Sequence, residues 1–342
     1  MEPLPMNLMR KMEEYRIAGV SMAMIEGAEI RRTDCFGSLE IGSTRRVDQE
    51  SIFNACSISK FFTSMLVMTL SEQGILHIDE DVSKYLSTRI IHENLCNEVM
   101  TLRHLLSHQS GIVDPINGFG ELNTLWGVPT MQELLEGTTP YFNSLIEAKV
   151  EPGSDFSYSD AGYCMIQLVI ENIMGKSFQE VIREHLFQPL QLNQSTYGLP
   201  SLKNQFSCGH TKDNGLVEGK YPIYPYPAAC GLWTTPTEVA IMVMELMTAL
   251  KGESNLLTSI AAEDMIKPQG GVEWMGLGVF LDLGCERVEI SSLGWGVGFQ
   301  CMMVANPYEE NGLVIMTNTD TGVHQLKGLI GEVYRAFIHK RI

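Results

Sequence analysis

Ser57-Ile58-Ser59-Lys60 stands where a loop enters a strongly apolar run, and its residue types and spacing could do nucleophilic chemistry. A serine hydroxyl is a poor nucleophile until a neighbouring base takes its proton. Residues three apart on a helix share a face, so a lysine at that spacing can approach the hydroxyl. Positive potential at a helix start disfavours an ammonium and favours the free amine as a base, and burial acts in the same direction. The same residues have a plain reading too, in which Ser57 caps the helix and Lys60 points to solvent. Spacing alone leaves both open.

Such a pair needs a helix to fix it and further elements to face it. The apolar pattern predicts a short amphipathic helix over 6–15, two strands over 19–25 and 29–36 joined around Gly27, and a buried helix over 59–73 that Gly74 stops. Helical stretches follow at 101–107, 131–136, 161–174 and 178–185, divided by loops rich in Gly, Pro and Asn. A further helix is expected over 236–250, with Pro236 in its first turn. Strands are expected over 276–281, 287–291, 299–305 and 313–317, and a terminal helix over 324–338. Strands at both ends with helices between them predict an α/β chain of the α+β type, one sheet built from both termini around a helical insertion.

The bulk properties narrow the function. A length of 342 residues with 44% hydrophobic content is enough for a full globular core. The net charge of −17 opposes binding to phosphate backbones or anionic lipid, and the densest basic stretch, Arg31, Arg32, Arg45 and Arg46, reads as a solvated hairpin face. No nucleic-acid or membrane partner is expected, and no apolar run reaches the length of a spanning helix. Arg10, Lys11, Glu13 and Glu14 stand where a secretory signal would need apolar residues, which gives a cytoplasmic reading of the chain. Eight scattered cysteines without a C-x-x-C pair suit reduced thiols better than a disulfide framework or a zinc site. Cys208 and His210 lack a second ligand pair nearby, so no metal is expected. Cys56 reads as a small packing residue, and the 20 methionines as core filler.

The stretch from Phe53 through Ser57 and Lys60 to Leu86, with Leu102-Arg103-His104-Leu105-Leu106-Ser107-His108-Gln109-Ser110-Gly111 beyond it, closely resembles the nucleophile region of the serine β-lactamase and penicillin-binding protein superfamily. The match favours the class C-like branch, which also holds D-aminopeptidases, carboxylesterases and acyltransferases. Glu151 to Tyr163 is similar to the family's Y-x-N segment, with Tyr158 as its tyrosine. The resemblance implies that Ser57 is the nucleophile, Lys60 its partner and Tyr158 the relay that takes the serine proton or passes it on. A nearby cationic lysine would favour the phenolate. The same resemblance gives His104 and His108 a structural place. It implies an antiparallel sheet flanked by helices, made of residues 1–78 and 228–342, a mostly helical insertion over 79–227, and the active site between them.

Two positions depart from the pattern. Asp160 replaces the asparagine, so an amide becomes a carboxylate that can pair with Lys60, hold a substrate amino group or cap the following helix. Ser292-Leu293-Gly294 stands where the family has K-T-G or H-x-G, so the cation that helps bind a substrate carboxylate is missing. Asp160, Ser292, Leu293 and Gly294 are the expected substrate-binding positions, and by resemblance the backbone N–H groups of Ser57 and Trp295 form the oxyanion hole. The implied reaction passes through an acyl-enzyme on Ser57 and needs no metal or cofactor. Its substrate is expected to be a small molecule or short peptide carrying an ester or amide, as for an esterase or D-amino-acid peptidase. The alternatives are a β-lactamase or penicillin-binding carboxypeptidase, an acyltransferase, and a non-catalytic binding or assembly protein on the same fold.

Overall fold

The computed structural model describes residues 8–339 except 87–98, 117, 144, 147, 199–204 and 285–287. Cys96, Cys285 and Arg287, which enter the sequence expectations, lie outside the described residues. The chain opens with helix α1 (Leu8–Glu14) and the hairpin β1 (Gly19–Glu26) and β2 (Glu29–Gly37), turning at Gly27 in the left-handed region (φ 62°). The two-residue strand β3 (Phe53–Asn54) leads through a 3-10 turn, Cys56–Ile58, into α2 (Ser59–Glu72). Every α2 residue from Ser59 to Leu70 is buried. A helix buried on all sides runs through a core rather than over a surface.

Short helices follow: α3 (Leu102–Leu106), capped by Thr101, and α4 (Met131–Leu135), opened by a Thr130–Glu133 capping box. The long α5 (Asp160–Met174) begins at the Ser159 cap and ends at Gly175 in the left-handed conformation. The expected helix over 178–185 is α6 (Phe178–Ile182), which then widens into a π-helical turn, Arg183–Phe187. Strand β4 (Thr196–Tyr197), helix α7 (Pro227–Cys230) and strand β5 (Leu232–Thr234) come next, and β3, β5 and β4 pair side by side. Then follow α8 (Pro236–Leu250), α9 (Ser259–Met265), strands β6 (Phe280–Asp282), β7 (Glu289–Gly296), β8 (Phe299–Asn306) and β9 (Asn311–Thr317), and α10 (Leu329–His339).

The main sheet runs β2-β1-β9-β8-β7-β6, with every described pair antiparallel, so the two chain ends meet at the β1–β9 ladder, Val20 opposite Thr317. Alternate residues of a strand face opposite sides. Ala23, Cys301, Met303, Val314 and Met316 join the large core that holds α2 and α8. Val20, Met22, Met302, Leu313 and Ile315 form an outer layer with α1 and α10. The outer layer is fastened by Glu332, which accepts from Tyr15 (2.6 Å) and pairs with Lys11 (3.1 Å). No helix among the described residues is long and apolar enough to cross a membrane.

Three expected elements differ. The predicted strand over 276–281 begins only at Phe280, because a Cβ on Gly278 (φ 76°) would lie 2.0 Å from Ser64 Oγ. The backbone there is pressed onto α2 and donates from Gly278 N–H to the Leu106 carbonyl (3.1 Å) instead of to a strand. Strand β7 continues past Ser291 to Gly296, since Gly294 and Gly296 serve a close approach rather than a turn. The terminal helix starts at Leu329, after a 3-10 turn at Gln325–Lys327 that extended Gly328 ends.

Phe62 is fully buried on α2, edge-to-face with Phe61 and Phe187. Phe62→Ala should therefore cost about 3–5 kcal/mol of unfolding free energy by chemical denaturation. A loss under about 1 kcal/mol would mean that α2 is not the central packing element.

Candidate functional site

Ser57 sits in the 3-10 turn just before α2 and is partly exposed, whereas Cys56 and Ile58 beside it are buried. Cys56 holds a positive φ of 48°, an uncommon conformation for a residue with a Cβ. The turn is kept there by side chains: Cys56 N–H donates to Asn54 Oδ1 (2.8 Å), and Ser59 Oγ donates to the Cys56 carbonyl (2.6 Å) while accepting from Leu232 N–H (3.0 Å). Strand β7 packs directly on this turn. A Cβ on Gly294 would lie 2.4 Å from the Ala55 carbonyl, and one on Gly296 would lie 2.9 Å from Cys56 Sγ. At 294 the neighbour is fixed backbone, so that contact needs glycine; at 296 a side chain would have to displace Cys56 Sγ and the Tyr224 hydroxyl.

Lys60, one turn further along, is 3% exposed. Its Nζ lies 2.6 Å from Asp160 Oδ1, 2.9 Å from the Ala229 carbonyl and 3.2 Å from Ser57 Oγ. The carboxylate and the carbonyl can only accept, so they take two N–H bonds in either protonation state. Ser57 Oγ is the partner whose role changes: it accepts from the ammonium and donates to the neutral amine. Burial pushes Lys60 downward, but the Asp160 charge, with smaller contributions from Tyr158 and Cys230 and the hydrogen bond to Asp160, holds it well above its ordinary value. The resting group is an ammonium that donates to the serine.

Tyr158 lies in the turn before α5, its ring 4.9 Å from Lys60 Nζ and stacked on His108 at 4.3 Å between centroids. It is 39% exposed, and the face of its ring is turned toward the Lys60 ammonium. Desolvation of the Tyr158 hydroxyl raises its pKa, the Lys60 charge lowers it and the Asp160 charge raises it again, leaving it above the usual phenol value. His108 is buried and accepts the Ser159 N–H at Nδ1 (3.1 Å). Burial first and Lys60 second keep it well below the ordinary imidazole range, so it is neutral.

The structure thus brings Ser57, Lys60, Tyr158 and Asp160 together. Ser292, 5% exposed, shares a strand face with Gly294, the face that meets the nucleophile turn. Leu293, expected among the substrate-binding positions, packs its side chain in the outer layer, because it is one residue out of phase with Gly294. Trp295 is also out of phase; its indole N–H donates to Asp320 Oδ1 (2.8 Å). Strand β6 pairs with Glu289–Ser291 only, so beyond Ser291 the β7 edge away from β8 has no described strand on it. Backbone groups on such an edge are available to a ligand. His104 lies beside Gly153. His210 has both ring nitrogens engaged, with the Asn318 carbonyl (2.8 Å) and the Ile41 N–H (3.1 Å).

Two contributors carry no sequence signal of their own. The Ala229 carbonyl on α7 acts through backbone that any residue supplies, with Pro227 at the helix start as the nearest cue. Asp114 accepts from Ser159 Oγ (2.6 Å), Asp160 N–H (2.7 Å) and Ala161 N–H (3.2 Å). It is a lone acidic residue in a loop, and only its folded neighbours single it out.

Residues 7–331 match the family model described as Beta-lactamase. Penicillin-binding protein 4* of Bacillus subtilis is 28% identical over 188 residues, 54% of this chain and 38% of that protein. The chain spans about two fifths of the length of the first curated relatives it matches. Among solved structures, the D-amino acid amidase of Ochrobactrum anthropi SV3, complexed with L-phenylalanine amide, superposes with a TM-score of 0.79 at 17% identity, over 98% of this chain and 99% of that one. EstCE1, a hydrolase with promiscuous acyltransferase activity, superposes with a TM-score of 0.77 at 18% identity over 95% of each chain. The superpositions show a shared fold, and the family match over residues 7–331 shows the family: this chain belongs to the Beta-lactamase family.

Proposed function

We propose that this chain forms an acyl-enzyme on Ser57 and cleaves a small ester or amide. The observation that carries this reading is the contact set around Lys60: a buried ammonium shared by the Asp160 carboxylate, the Ala229 carbonyl and the Ser57 hydroxyl, with the Tyr158 ring 4.9 Å away. In that setting Tyr158 is the better proton acceptor, because Lys60 already donates to the serine and its positive charge stabilises a phenolate. Ser57 Oγ attacks the carbonyl carbon as its proton passes to Tyr158 in its phenolate form, the minor form at neutral pH whose share grows as pH rises. The oxyanion is held by the backbone N–H groups of Ser57 and Trp295. Collapse breaks the bond to the alcohol or amine, which takes the proton from Tyr158 and departs. Water then attacks the ester on Ser57 by the same route in reverse, regenerating the hydroxyl and releasing the acid.

The substrate side supports a neutral ester or amide over a substrate anchored by a carboxylate. Ser292 provides one hydroxyl where a cation would bind an anion, and the cation beside Ser57 is already neutralised by Asp160.

Three outcomes follow. Incubation with a fluorophosphonate should add one adduct by intact mass, placed at Ser57 by peptide mapping and lost in Ser57→Ala. Tyr158→Phe should acylate about 10²- to 10⁴-fold more slowly. An unlabelled wild type would leave a non-catalytic relative as the better reading. The Asp160 anion holds both Lys60 and Tyr158 up, so Asp160→Asn should lower both. The rising alkaline limb of the acylation rate should then move to lower pH by on the order of one unit, with a faster reaction at pH 7. A limb that stays in place or moves upward would show that Asp160 does not set the proton affinity of the site.

A further inference from the structure

The residues that meet Ser57 from the opposite side, Tyr158 and Asp160, stand in or next to a turn without regular secondary structure, at the entrance to α5. An irregular turn has no ladder to hold its backbone, so its N–H groups must find other acceptors. Here they find two side chains from one loop. His108 Nδ1 takes the Ser159 N–H (3.1 Å), and the His108 carbonyl takes the Ser157 N–H (2.8 Å). Six residues on, Asp114 takes the Ser159 hydroxyl on Oδ1 (2.6 Å), the Ala161 N–H on the same oxygen (3.2 Å) and the Asp160 N–H on Oδ2 (2.7 Å). The loop is itself pinned between them, since a Cβ on Gly111 (φ 76°) would lie 2.0 Å from the Val150 carbonyl.

We infer that Asp114 is a positioning residue for the proposed reaction: by holding the Ser159–Ala161 backbone it fixes the Tyr158 hydroxyl and the Asp160 carboxylate against Ser57 and Lys60. This rests on the reading of Ser57 as nucleophile. A carboxylate suits the task because it accepts on two oxygens and donates on neither. Burial first, and the Asp160 charge after it, raise the Asp114 carboxyl above its ordinary value, while the bonds from Ser159, Asp160 and Ala161 pull it part of the way back toward the ionised form that makes them. An asparagine has the same shape but one donor end. Whichever way its amide faces, either the Asp160 or the Ala161 N–H meets an NH₂ group instead of an oxygen. The turn then shifts to relieve that contact. A displacement near 1 Å at a catalytic group costs on the order of a hundredfold in rate.

The test measures fluorophosphonate labelling of Ser57 in the full chain, in which Oγ bonds to phosphorus and fluoride leaves, separating the limiting rate from the half-saturating concentration, beside a thermal melt. Asp114→Asn and Asp114→Ala should lower the limiting rate about tenfold to a hundredfold and change half-saturation less than about threefold. Formate, a carboxylate small enough for the space left in Asp114→Ala, should restore several-fold of the rate in that variant and none in Asp114→Asn. Asp114→Asn keeps the volume and supplies the measurement should Asp114→Ala not fold. Wild-type rates in both variants, or equal changes in rate and half-saturation with no formate effect, would overturn the inference alone. A wild type that takes no label would remove the reading beneath it as well.

Discussion

The ion pair between Lys60 and Asp160, 2.6 Å long with the lysine buried and the carboxylate a quarter exposed, is the interaction on which the site depends. Taking an ammonium out of water costs several kcal/mol, and a carboxylate at contact distance is the partner that offsets it best. Removing one member leaves the other charge uncompensated, at a cost of about 3–5 kcal/mol. The pair therefore joins α2, which carries Lys60 and follows the Ser57 turn, to α5, which carries Asp160 at its first residue. It also sets the chemistry. A lysine committed to a carboxylate and a carbonyl donates to the serine instead of accepting from it, and the proposed proton acceptor becomes the tyrosine beside it.

The surrounding fold serves close approach. The nucleophile turn is squeezed between α2 and strand β7, and glycine at 294 and 296 lets the strand backbone lie against Ala55 and Cys56. That closeness makes the backbone N–H of Trp295 a candidate oxyanion donor, where a side chain at either glycine would hold the strand away. The third wall is α7, a single helical turn whose Ala228 and Ala229 carbonyls take the Thr63 hydroxyl and the Lys60 ammonium. Lys60, the Ser57 turn and the Asp160 backbone are thus each held by a further contact, from the Ala229 carbonyl, Asn54 with Ser59, and Asp114.

Much of this is legible in the sequence where periodicity or a residue type carries the information. The apolar run after Ser57 marks α2, and helical spacing puts Lys60 beside Ser57. The pairing of Asp160 with Lys60 is one of the three roles open to a carboxylate at that position, and folding selects it. What the sequence hides is the work of backbone and of distant loops. Asp114 reaches a turn 46 residues away, and nothing local in the sequence marks it. The Ala229 carbonyl has no side chain to betray it. Strand β7 reads short because its glycines look like a turn, and with the strand's extent goes the phase that turns Leu293 to the outer layer.

The central claim is that Lys60 rests as an ammonium paired with Asp160. It is tested most directly by nitrogen NMR of protein labelled at the lysine side-chain nitrogens, with Lys60 assigned from Lys60→Met and followed across pH. The Lys60 signal should stay at the ammonium position from neutral pH to beyond the ordinary lysine range, and in Asp160→Asn it should titrate at lower pH. A Lys60 signal already at the neutral-amine position near pH 7 in the wild type would contradict the account and make the lysine itself the base.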